Sequence, residues 1–159
     1  MTGNENIQQE VTKLIDSAAA RAFAMSLEDI IPEFNKIKDE CLSKVYEDKL
    51  KKEIVQRINE WVMKIYCDRD EEFEKVKNTF ENVDIYNYID IESKANLVVY
   101  FSQYCIRNNN LVEAKKHLNK LVLILNTSSS PNSSNIIDYY KGVCANLLKE
   151  EIGIEDIHK

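Results

Sequence analysis

The sequence predicts an all-α protein of about seven helices packed in antiparallel pairs. Only three glycines and two prolines punctuate 159 residues, too few for the many turns of a β-rich fold. Apolar residues recur at spacings of three and four along most of the chain, which places them on one face of successive helices. A chain of this length forms a real core without disulfides or metal, so one helical domain over 1–159 is expected, with amino-terminal helices over 1–82 and helical hairpins over 91–159.

The first helix is read from Ile7, Val11, Leu14, Ile15, Ala18 and Ala22, and ends near Met25. Ser26 with Asp29 offers a helix cap with an acidic first turn, and Pro32, which lacks a backbone donor, predicts a short turn before a helix starting near Pro32 itself. Phe34, Ile37, Cys41 and Val45 form that helix's buried stripe. A third helix from about Asp48 carries Leu50, Ile54, Ile58, Trp61 and Ile65 opposite a charged face. Asp68 and Glu71 have capping-box spacing for a fourth helix, whose inner face is Phe73, Val76, Phe80 and Val83.

Residues 83–90 alternate like a strand but have no partner strand, and are read as a connection that packs its aromatic residues. A fifth helix is expected over Ile91–Arg107 and a sixth over Leu111–Leu125, joined by a sharp turn at Asn108–Asn110. The Ser-rich run 126–135 is read as a mobile loop. Ile136, Ile137, Tyr140, Val143, Cys144, Leu147 and Leu148 mark a seventh helix ending before Gly153.

Several classes of chemistry find little support. The net charge of -6 works against binding a phosphate backbone, so no direct nucleic-acid contact is expected. No run approaches the roughly 20 apolar residues that span a bilayer, and the first residues lack the regions of a signal peptide, so a cytoplasmic protein is expected. Cys41, Cys67, Cys105 and Cys144 each stand among apolar neighbours, as reduced core thiols do. His117 is placed on a charged helix face and His158 near the carboxyl end, neither with a clustered ligand partner, so no metal is expected; nor is any cofactor, since three scattered glycines cannot form a phosphate-cradling loop. The acidic run Asp68–Glu72 could hold magnesium in an enzyme, but charges at a helix start also complement its dipole.

The fifth and sixth helices carry the spacing of a tetratricopeptide-type hairpin. Ala114 is the small residue of its second helix, packing on Val98, Phe101, Ser102 and Cys105, with Leu118 and Leu121 completing the pair. Ser102 stands where glycine is usual and Cys105 where an aromatic is usual; Gly142 is read as the small residue of a second copy. The hairpin LVVYFSQYCIRNNNLVEAKKHLNKLVLIL followed by IIDYYKGVCANLLKEE resembles the carboxy-terminal repeat domain of the peptide-responsive regulators of the Rgg, GadR and MutR group. That resemblance covers under half of the chain and implies a groove for a short signalling peptide and a dimer. Those regulators begin with a helix-turn-helix domain, for which residues 1–70 show no basic recognition helix.

The expected function is therefore a non-catalytic, peptide- or protein-binding sensor or regulatory protein. Tyrosines concentrate in the second half and supply rigid contact area with a polar tip, although core packing explains them too. Asn96, Tyr100, Gln103, Tyr104, Tyr139, Tyr140 and Asn146 are the candidate binding residues. An acidic helical adaptor or inhibitor of the immunity or anti-defence type, blocking a partner protein, is the alternative. A second copy of the chain could cover the apolar end that a short repeat stack leaves.

Overall fold

The computed structural model describes residues 3–88, 90–128 and 134–151. It contains helices α1 (Gly3–Ala22), α2 (Leu27–Lys44), α3 (Asp48–Asp68), α4 (Phe73–Val83), α5 (Ile91–Arg107), α6 (Leu111–Thr127) and α7 (Ser134–Asn146). A 3-10 turn spans Ile85–Asn87, and a π-helical turn over Leu147–Glu151 continues α7. No strand occurs among the described residues, and none of their helices is long and apolar enough to cross a membrane. The backbone separates into two compact units, 1–65 and 66–159, with the division inside α3.

In the first unit α1 turns Val11, Ile15, Ala18, Ala19 and Ala22 inward against Ile30, Phe34, Ile37, Cys41 and Val45. Three alanines on one stripe keep α1 slim where α2 packs on it. Ile54, Ile58 and Ile65 of α3 close the core, with Leu50 and Trp61 half-buried beside them. Charges stay at the rim: Arg21 pairs with Glu33, Lys44 reaches Glu10 at 2.9 Å, and Arg57 donates to Thr12 Oγ1 at 2.9 Å.

The start of α2 differs from the sequence reading. Helix α2 begins at Leu27, not near Pro32, because Ser26 Oγ accepts from the Asp29 N–H at 3.3 Å and caps the earlier start. Proline lies inside the second turn, where it removes one bond to the exposed Glu28. Keeping the first turn helical aims Ile30 into the core, where it is fully buried. Burying that side chain is worth more than one backbone bond.

In the second unit α5 and α6 run antiparallel across a tight turn in which Asn109 takes a left-handed conformation (φ 60°) and the Asn110 N–H closes on the Cys105 carbonyl at 2.7 Å. Ala114, Leu118 and Leu121 of α6 and Val98, Phe101, Ser102 and Cys105 of α5 are all fully buried. Helix α7 packs on both through Ile137 and Cys144. Among the described residues Gly142 does not act as a small packing residue: it is exposed, and a Cβ there would meet none of them within 4 Å. The interhelical seam instead uses the residues five before and two after it.

In the connection 83–90, of which residue 89 lies outside the described residues, apolar and aromatic side chains pack inward. Asp84 stops α4 in a left-handed conformation (φ 56°), and Ile85 and Tyr88 are buried. Of the Ser-rich run, residues 126–127 extend α6 and 134–135 begin α7, while 129–133 lie outside the described residues, as does Gly153. All four cysteines are buried free thiols.

Candidate functional site

The candidate binding residues fall into two groups. Asn96 and Gln103 lie exposed on the same stripe of α5 as Glu92. Tyr139 and Asn146 share an exposed stripe two turns apart on α7, and Tyr139 is 65% exposed. Tyr140, half-buried, sets its ring edge-on to Tyr139 at 5.0 Å and 79°. Its phenol is pushed up by burial and then by the Glu92 carboxylate, which relates α7 to the start of α5. These five residues offer an aromatic pair and amide side chains that donate and accept hydrogen bonds.

Tyr100 and Tyr104 do different work. Tyr104 is 1% exposed, and its hydroxyl donates to the Glu71 carbonyl; Tyr100 donates to Asp68 Oδ1. Arg107 reaches the Cys67 carbonyl at 2.9 Å and Asp70 Oδ1 at 3.4 Å, while Asn108 Nδ2 donates to the same Asp70 oxygen at 3.0 Å. Together they clasp the α3–α4 connection, where Asp70 is left-handed (φ 49°). Asp68 therefore ends α3 and does not cap α4, which starts at Phe73 without a side-chain cap. The acidic run Asp68–Glu72 thus joins the end of α3 to the start of α4, with Glu72 at the N-cap position. Two of its carboxylates accept from the clasp, because donors anchored on α5 meet them there. Burial pushes the Cys67 and Cys105 thiols up to about 12, as in inert core cysteines.

The structure also gathers a polar group that the sequence reading placed elsewhere. His117 is not on a charged surface; it is 8% exposed, between Phe80 (ring centroids 4.9 Å, 79°), Phe101 (5.4 Å, 81°) and Tyr86 (5.9 Å, stacked). The signal was present, since position 117 follows Ala114 by three and precedes Leu121 by four, on the buried stripe itself. Flanking Lys115, Lys116 and Lys120 hid it by making the segment look solvated.

Nε2 of His117 lies 3.3 Å from Glu113 Oε2, a contact without hydrogen-bond alignment that leaves this buried oxygen with no hydrogen-bond partner. An ionised carboxylate only accepts, so the ring proton belongs on Nε2 and Nδ1 receives the Tyr86 hydroxyl at 2.6 Å. Glu113 Oε1 pairs with Lys77 at 3.5 Å, and the Lys120 ammonium lies 3.9 Å from the centre of the Tyr86 ring. Burial lowers the His117 pKa, with Glu113 pulling the other way. Burial raises the Tyr86 phenol, so this chain of contacts does not activate Tyr86 as a nucleophile.

Among the described residues, no group of three or more His, Cys, Asp or Glu is placed to hold a metal ion. Comparison with family models, with curated proteins and with solved structures finds no match to this chain.

Proposed function

We propose that the chain is a non-catalytic binding module that takes a peptide or a segment of a partner protein along the exposed faces of α5 and α7. The observation that carries this reading is the Tyr139–Tyr140 pair, one ring largely exposed and edge-on to the other. An exposed tyrosine held by a neighbouring ring offers rigid contact area at low entropic cost. Asn96, Gln103 and Asn146 are the polar side chains for a peptide backbone, while Tyr100 and Tyr104 are committed to the α3–α4 connection. The α5–α6 hairpin is taken as a tetratricopeptide-like unit of a cytoplasmic sensor or regulator, consistent with the resemblance to the peptide-responsive group.

Capture from an extract of cells that produce the chain, using the full chain and its Tyr139→Ala/Asn146→Ala variant as parallel baits, tests the proposal. A peptide or protein retained by the first bait and lost from the second is the expected result. A partner held equally by both removes this face from recognition. The net charge of -6 favours one rival, an acidic adaptor or inhibitor, whose partner would survive the double substitution and dissociate as salt is raised.

A further inference from the structure

We infer that Tyr86, His117 and Glu113 form an acid-sensitive latch, which holds the turn Ile85–Asn87 against α6 at neutral pH and releases it when the imidazole takes a second proton. The inference is independent of the binding face. It rests on which atoms are already occupied: Nε2 faces Glu113, so the added proton must go to Nδ1, the atom to which the Tyr86 hydroxyl donates at 2.6 Å. Two donors would then meet; the phenol can turn its hydrogen and accept instead, so what opens the latch is the added charge on a ring enclosed by Phe80, Phe101 and Tyr86.

The surroundings disfavour the charged ring. From α4 come Phe80 and Lys77, the latter already on Glu113 Oε1; from the turn comes Tyr86; from α5 comes Phe101, with Tyr104 beyond it. On α6 itself Glu113 attracts the imidazolium, while Lys116 and Lys120 repel it. Burial and the lysines outweigh Glu113, so the latched ring titrates below the ordinary histidine value of 6.5. An unlatched, hydrated ring titrates near the ordinary value. The latch is therefore fully held above that value, weakens as pH falls through it, and stops changing below the depressed value.

Nuclear magnetic resonance on the full chain tests this, because there are only two histidines and His158→Gln assigns their signals. The His117 ring is expected to titrate below the ordinary histidine value of 6.5. The Asn87 and Tyr88 amides, which bond to Asp84 and Ile85 at 3.1 Å, should lose protection from hydrogen exchange by roughly tenfold per pH unit within the window. His117→Gln keeps an acceptor for the phenol but takes no proton, and should make that protection independent of pH. A His117 signal titrating at or above the ordinary value of 6.5, or an unchanged pH dependence in His117→Gln, would overturn the latch. Should that variant not fold, Tyr86→Phe serves: it must lower Asn87 and Tyr88 protection already at neutral pH, and unchanged protection there equally refutes the inference.

Discussion

Among the described residues, the core of the amino-terminal unit is built only of apolar side chains and a thiol, with its charges at the rim, whereas the carboxy-terminal unit takes Ser102 and His117 fully or nearly fully inside. It also sinks tyrosine bodies whose hydroxyls find internal acceptors, as Tyr104 does at Glu71. An apolar core asks only for shape and volume, so many sequences satisfy it. A buried polar group asks for one particular partner in one particular place, and loses stability when either is removed. The second unit is accordingly where single atoms, not just volumes, decide the packing.

The largest expected effects set the two cores side by side. Phe34→Ala in the first and Phe101→Ala in the second should each cost about 3–5 kcal/mol, the usual loss for a buried phenylalanine. Urea unfolding read by the single tryptophan, Trp61, reports the first, and near-ultraviolet circular dichroism of the tyrosines reports the second. Phe101 also stacks on Phe80 at 4.1 Å and borders His117, so its removal should further disturb the His117 signal. An unperturbed histidine resonance would show that the aromatic cage is not continuous.

Tyr104→Phe isolates one hydroxyl of the clasp. It should destabilise by about 1–2 kcal/mol and raise hydrogen exchange in the α3–α4 connection, because the Glu71 carbonyl loses its side-chain donor. A loss of stability without that local change would place the effect in packing alone.

The smallest expected effects are gains. Ser102→Ala removes a buried hydroxyl that has no hydrogen-bond partner, and should be neutral or stabilise by up to about 1 kcal/mol in urea unfolding. Gly142→Ala adds a methyl group into open space within a helix and should stabilise by about 0.5–1 kcal/mol, raising Tm. A destabilised Gly142→Ala protein would restore the close helix approach that the hairpin spacing suggested.

The α5–α6 hairpin was legible because its signals were local: an apolar stripe of period 3.6, an asparagine turn, and a small residue at Ala114. Gly142 carried the same kind of signal and was misleading, since smallness marks a close approach only if another helix lies opposite it. Likewise Asp68 and Glu71 have the spacing of a cap, yet Asp68 Oδ1 accepts from Tyr100, the Glu71 carbonyl from Tyr104 and the Glu71 carboxylate from Lys75. Of the candidate binding residues, the sequence could not separate Tyr139, which is exposed, from Tyr104, which is buried, because both stand within apolar and polar mixtures on amphipathic helices.

By itself the sequence determined the all-α class, the helices and the apolar face of each, since these follow from backbone periodicity and the removal of apolar surface from water. Only the tertiary structure decided the partners of the polar groups: that Tyr86 meets His117, that Tyr100 and Tyr104 hold the α3–α4 connection, and that Tyr139 is left facing outward. Hydrogen bonds are directional and act over a few ångströms, so they depend on which distant residues the packing brings within reach. Period and composition carry no record of that distance.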